Sequence, residues 1–268
     1  MERITENLVR CPSCKGGYCS VNRDEKDFFT CKVCGERYPI RDGFVDLVPE
    51  LHLSKTAAQF FMESPAIVNI YESRLWRKSM AAAMILGISF NKEAKLISGA
   101  ANIANADSVL DLACGPGIYT RAFARTMGKG RVVGLDLSAP MLRWGAARAK
   151  KQGLDNVVYV RASALDLPFE DESFEVVNCC GALHLFPDPD KALEEVGRVL
   201  APGGCFTVAA VRRGRGLLGA IREKYTRSMG FRGFTSDALS QTLERKGFSG
   251  IHCHHDARRW IIMSAVKQ

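Results

Sequence analysis

Residues 108–117 read Ser-Val-Leu-Asp-Leu-Ala-Cys-Gly-Pro-Gly. The run up to Cys114 is nearly continuous in apolar character, as a strand buried on both faces requires, and the Gly-Pro-Gly that follows reads as a tight turn. A helical pattern comes next, over 121–127. A strand, a glycine turn and a helix in that order open an α/β sheet, and such sheets bind ligands at the carboxyl ends of their strands. Gly115 and Gly117 let the backbone approach a ligand, and the turn presents free amides to it. A dinucleotide fingerprint would need a third glycine at position 120, where Thr120 stands, so a nicotinamide dehydrogenase does not fit.

Outward from this turn the pattern repeats. Strands are expected over 132–137, 157–161, 174–179 and 205–211, and helices over 141–151, 191–200 and 236–246. A last strand pair is expected over 248–254 and 260–266. Strands alternating with helices imply a parallel sheet covered on both faces. The second strand ends at Asp136, where a carboxylate can accept hydrogen bonds from both hydroxyls of a ribose. Upstream, 51–99 reads as helical apart from Pro65. Its uncharged stretch, 79–91, is too short to cross a bilayer.

The N-terminal fifty residues follow a different rule. Cys11-Pro-Ser-Cys14 and Cys31-Lys-Val-Cys34 are two Cys-x-x-Cys hooks separated by sixteen residues, enough chain for a hairpin between them. Hooks so spaced place four thiolates, Cys11, Cys14, Cys31 and Cys34, around one structural Zn2+ with no open position. Cys19 lies outside both hooks. With ten cysteines, no apolar core of a signal peptide and this metal motif, a reducing, cytoplasmic location is expected. The net charge of +8 is concentrated late: Cys205 onward carries twelve Lys and Arg against four Asp and Glu. Much of that excess lies in 212–232, which suits either a solvated helix face or an acidic ligand such as RNA.

Four segments, LDLACGPG, GLDLSAPML, ALDLPFEDESFEVV and RVLAPGG, resemble in order and spacing the class I methyltransferases that use S-adenosylmethionine (SAM), above all the ubiquinone/menaquinone-biosynthesis type. That resemblance implies a Rossmann-like, doubly wound, mostly parallel seven-stranded sheet. The segment from the cysteine hooks through Tyr38-Pro-Ile-Arg-Asp-Gly43 resembles zinc-ribbon activator subunits of methyltransferases and the ribbon fused to rRNA guanine methyltransferases. It implies a recognition or protein-docking module. The expected division is a ribbon over 1–49, a helical linker or lid over 50–100 and a SAM-binding domain over 101–268.

Carried over by position, the class I resemblance implies that Ala113, Gly115 and Gly117 line the methionine moiety of the donor and that Asp136 holds its ribose. Leu137 and Met141 would flank the adenine, Ser163 and Ala164 would face its edge, and Cys180 would lie under the donor. Tyr71, on an entry helix, would close over it. Two positions depart from the family pattern: Ala113 replaces a usual glycine, and Ser163 stands where relatives often have Asp. Asp111 can act on the donor's amino-acid end, directly or through hydrogen bonds within the loop. Transfer from a sulfonium needs alignment and exclusion of water rather than a covalent catalyst. A general base matters only for an acceptor that keeps its proton, and His184 is the candidate. The expected reaction is C- or O-methylation of a quinone-, lipid- or natural-product-like small molecule. An rRNA or tRNA base methyltransferase is the alternative, and a SAM-binding scaffold without activity the third reading.

Overall fold

The computed structural model describes residues 8–21, 27–48, 83–84, 86–214 and 232–268. Four short strands come first: β1 (Cys19–Val21), β2 (Phe28–Cys31), β3 (Arg37–Arg41) and β4 (Phe44–Asp46). The alternation follows as α1 (Phe90–Ala100), β5 (Ser108–Leu112), α2 (Ile118–Met127), β6 (Arg131–Asp136), α3 (Ala139–Lys151), β7 (Val157–Arg161), β8 (Phe174–Cys180), α4 (Pro189–Val199) and β9 (Leu200–Val211). The chain closes with α5 (Ser236–Arg245), β10 (Phe248–Ala257) and β11 (Trp260–Lys267).

β5 is buried at every position, as its apolar run demands. It lies between β6 and β8 in parallel register, and β7 and β9 extend the parallel ladder on either side. β11 inserts antiparallel between β9 and β10. The carboxyl ends of five parallel strands therefore point one way, and the site-forming loops gather there. The helices start where the capping chemistry says they should. Ser138 caps α3 by accepting from the Met141 amide, and Asp188 caps α4 by accepting from that of Lys191. The Asp188 cap and Pro189 begin α4 two residues earlier than the apolar periodicity suggests.

The sheet differs from expectation in size. It has eleven strands, in the order β1-β2-β3-β4-β7-β6-β5-β8-β9-β11-β10. Seven belong to the alternating region, and the ribbon supplies the other four. The junction is β4, whose Phe44, Val45 and Asp46 are all buried and pair in parallel with Tyr159, Val160 and Arg161 of β7. Without β4, the outer edge of β7 would leave a row of backbone groups unpaired. Side chains follow the backbone. Leu8, Phe29, Tyr38, Val45 and Leu47 join one core cluster with Val160, Leu167 and Phe169, while Phe44 packs with Leu142 and Tyr159 on the opposite face. The ribbon thus shares both faces of the core.

Of the helical expectation over 51–99, the described part is residues 83, 84 and 86–99, most of it α1; Tyr71 lies outside the described residues, as does most of the basic stretch 212–232. Among the described residues no helix is long and apolar enough to cross a membrane.

Candidate functional site

The four hook cysteines meet. Their Sγ atoms lie within 4.8 Å of one another, with Cys11 to Cys34 at 3.7 Å and Cys14 to Cys31 at 3.8 Å. Four sulfurs at the ~2.3 Å zinc–thiolate distance form a tetrahedron with edges of about 3.8 Å. The Cys11–Cys34 and Cys14–Cys31 separations match such an edge. Each hook closes on a residue of positive φ, Lys15 (φ 56) or Gly35 (φ 75), whose amide bonds the carbonyl of Cys11 or Cys31. The Tyr38 hydroxyl sits 3.2 Å from the Cys11 sulfur and 2.9 Å from the Ser13 Oγ. Burial raises the Cys11 pKa, but hydrogen bonds from Tyr38 and the local amides outweigh it and bring the thiol down to about 6. Cys19 is different. Burial and its cysteine neighbours push its thiol well up, and it stands outside the group of four sulfurs.

At the glycine turn, Ala113 (φ 52), Gly115 (φ 54) and Gly117 (φ 73) all take left-handed backbone. The Gly115 amide donates to Asp136 Oδ2 at 2.7 Å, and the Ser138 amide donates to Oδ1 at 2.9 Å. A Cβ on Gly115 would project into open space, so the turn presents a bare backbone surface beside a carboxylate. Gly117 is bare for another reason. A Cβ there would collide with the Tyr159 hydroxyl, and Cβ atoms on Gly134 and Gly145 would crowd the same ring. Three glycines thus make room for a tyrosine under the turn.

Asp111 is 2% exposed and accepts from Thr120 Oγ1 at 2.5 Å and from Asn178 Nδ2 at 2.7 Å; Thr207 in turn donates to the Asn178 amide oxygen at 3.0 Å. Burial drives its pKa up to about 6 against these hydrogen bonds. Asp111 thus ties the end of β5 to α2 and β8. Thr120, the residue that breaks the dinucleotide fingerprint, is the partner that holds it.

Leu137, Ser163 and Ala164 are half-buried just past the ends of β6 and β7, while Met141 is buried in the first turn of α3. The Ser163 Oγ accepts from the Leu165 amide at 3.1 Å. Asp166 is exposed and pairs with Lys15 of the first hook at 2.7 Å. Next to it a cleft of about 200 Å³ opens between ribbon and core, lined by Arg10, Lys15, Asp166, Glu195 and Arg198. Each of these charges already has a partner, so the cleft marks where the ribbon packs on the core.

At the other end of the row, Cys180 at the tip of β8 donates to Glu93 Oε1 at 3.1 Å. The Trp260 Nε1 donates to the same oxygen at 3.0 Å, and the His184 ring meets the Trp260 ring edge-on at 6.1 Å. His184 is 7% exposed and Glu93 1%. Glu93 was missed in the sequence, although a signal existed. It sits between Phe90 and Ile97 on the inward stripe of α1, where an acid needs a polar partner.

Residues 109–204 match a protein family described as a methyltransferase domain. Over those residues the chain is similar to methyltransferase domains. It is 29% identical over 215 residues to an uncharacterized chloroplastic methyltransferase of Arabidopsis thaliana, covering 74% of this chain and 60% of that protein. To the ubiquinone/menaquinone biosynthesis C-methyltransferase UbiE of Hahella chejuensis it is 44% identical over 103 residues, 38% of this chain and 41% of the relative. It therefore spans less than two thirds of the length of either protein. The phosphoethanolamine N-methyltransferase 2 of Haemonchus contortus, solved with S-adenosyl-L-methionine, shares the fold. It superposes with a TM-score of 0.65 at 18% identity, over 80% of this chain and 60% of that one. The matched region includes the glycine turn, Asp136 and the strand ends through β8, and the four-cysteine ribbon precedes it.

Proposed function

We propose that the protein transfers a methyl group from SAM to a small-molecule acceptor of quinone-like character, with one structural zinc ion in its ribbon. The division of labour proposed is zinc binding over 1–49, a lid over 50–100 that includes Tyr71, and donor binding over 101–268. One observation carries the donor reading: a glycine with open space above it, Gly115, is hydrogen-bonded through its amide to the carboxylate of Asp136 on the neighbouring strand. A carboxylate oxygen has more than one lone pair to offer, and Leu137, half-buried beside Asp136, offers an apolar wall. Ala113 and the Gly115 backbone would hold the methionine end, Asp136 the ribose, and Leu137, Met141, Ser163 and Ala164 the base.

The donor would supply a methyl group already activated on a sulfonium. The residues of this chain would orient it, keep water out and, where the acceptor holds a proton, take that proton. His184 is proposed for that role, with Glu93 beside Trp260 as the positioning carboxylate. The quinone-like acceptor class rests on the name of the Hahella relative. The RNA alternative gains no support from these relatives. For the ribbon, the proposal is a structural role first, since β4 completes the sheet, with protein docking through its outer face secondary.

The test uses purified, zinc-replete protein with methyl-labelled SAM and fractionated cell extract. Label entering an organic-soluble small molecule supports the reading, and label entering RNA or protein alone overturns the acceptor class. Absence of SAM binding by calorimetry would remove the donor reading altogether.

A further inference from the structure

The end of the ribbon reaches the donor pocket through one buried side chain. Asp46, the last residue of β4, lies in register with Arg161, the last residue of β7, which lies in register with Asp136, the last residue of β6. Three strand tips thus stand side by side at the end of the sheet where the donor would bind. The Arg161 Nη1 donates to both carboxylate oxygens of Asp46, at 3.1 and 3.3 Å, with the side chains 10% and 5% exposed. Its Nε donates to the backbone carbonyl of Leu137 at 3.0 Å. The backbone makes the same connection: the Leu47 amide bonds the Arg161 carbonyl, and the Ala162 amide bonds that of Asp136.

A guanidinium is suited to this task because its fork spans two acceptors in a plane, one on each neighbouring strand. A charge this buried needs a carboxylate partner. Among the described residues the carboxylate supplied is Asp46, from outside the matched region.

We propose that Asp46 and Arg161 are positioning residues for the donor, so that the ribbon builds the adenine wall of the pocket as well as binding metal. Resting on the SAM reading above, this extends it. The ribbon orders Arg161, Arg161 pins the Leu137 carbonyl, and the pinned loop keeps Leu137 and the Asp136 carboxylate aligned with Ser163 and Ala164 on the next strand.

Arg161→Lys is the sharpest test, because lysine can still pair with Asp46 but lacks the Nε donor to Leu137. Calorimetry on the zinc-replete full chain should show the Kd for SAM and the Kd for adenosine rising together by about tenfold, the loss of one charge-assisted hydrogen bond. Melting should stay within a few degrees of wild type. Asp42→Asn, which cuts the exposed Asp42–Arg143 bridge between ribbon and core, should leave both constants unchanged. Should Arg161→Lys fold poorly, Asp46→Asn keeps an acceptor for Arg161 and should weaken adenosine by several-fold. Wild-type affinity for SAM and adenosine in Arg161→Lys overturns the proposal. If the wild type binds no SAM, the donor reading fails separately, and hydrogen exchange then decides the positioning claim. The amides of Ala162 and Ser138 should exchange faster in Arg161→Lys than in Asp42→Asn, and equal rates overturn it.

Discussion

The cysteine ribbon and the glycine turn both build a ligand site from left-handed backbone, yet they secure it by opposite means. In the ribbon, Lys15 and Gly35 close two matching hooks whose sulfurs point at a shared centre. Sulfurs at 3.7–3.8 Å repel one another once ionised, and only a cation at that centre offsets the repulsion. In the glycine turn, Ala113, Gly115 and Gly117 are held from beneath by Asp111, Thr120 and Tyr159, all buried in the core. On the proposed function, one turn would be organised by its ligand and the other before its ligand arrives. Folding should depend on the first ligand, and only affinity on the second.

Removing the metal should break the comparison most visibly. Cys31→Ser, or exhaustive chelation, should lower the melting temperature by about 10 °C or more. Because β4 lies within the large sheet, the loss should register across the whole domain. Calorimetry with metal analysis reads it; a melting curve indifferent to zinc would mean the ribbon is held by the shared core alone. Asp136→Ala addresses the preformed turn. It should reduce SAM affinity by about a hundredfold, since two amides lose their acceptor and the ribose its carboxylate, while zinc content stays the same.

Gly117→Ala should cost about 2–3 kcal/mol in urea unfolding, from left-handed strain plus the collision with Tyr159. Tyr159→Phe in that background should recover part of the loss. Full recovery would assign the whole cost to the clash, and none would assign it to the backbone. Asp111 sharpens the comparison by pH. Its folded pKa of about 6 exceeds the ordinary value of 3.8. Between those values the native chain keeps a proton that the unfolded chain has released. Its contribution to stability is therefore full below about pH 4 and falls as pH rises through 6, by roughly 3 kcal/mol. Subtracting the pH profile of Asp111→Asn from that of wild type isolates this slope, and two parallel profiles would contradict it. The smallest effect belongs to Ala113→Gly. Relief of left-handed strain should exceed the added chain entropy and stabilise by about 0.5 kcal/mol.

Much of this was legible in residue order. The apolar run of β5, the turn after it, the acid ending β6 and the alternation through β9 are local patterns, and the two hooks carry their spacing openly. Element ends were off by a few residues where capping decided them, as at Asp188. Glu93 escaped because only packing reveals that Trp260 and Cys180, far along the chain, turn toward one acid.

The sequence by itself determined the type of sheet, the meeting of the four hook cysteines and the glycine turn at the end of β5, because each rests on contacts between near neighbours or on one repeated period. The tertiary structure alone decided that the ribbon is part of that sheet. A three-residue strand carries too little pattern to announce its partner. The pairing of Phe-Val-Asp with β7 is set by the open edge, the shared core and a buried ion pair between residues 46 and 161, all of them interactions across long stretches of chain.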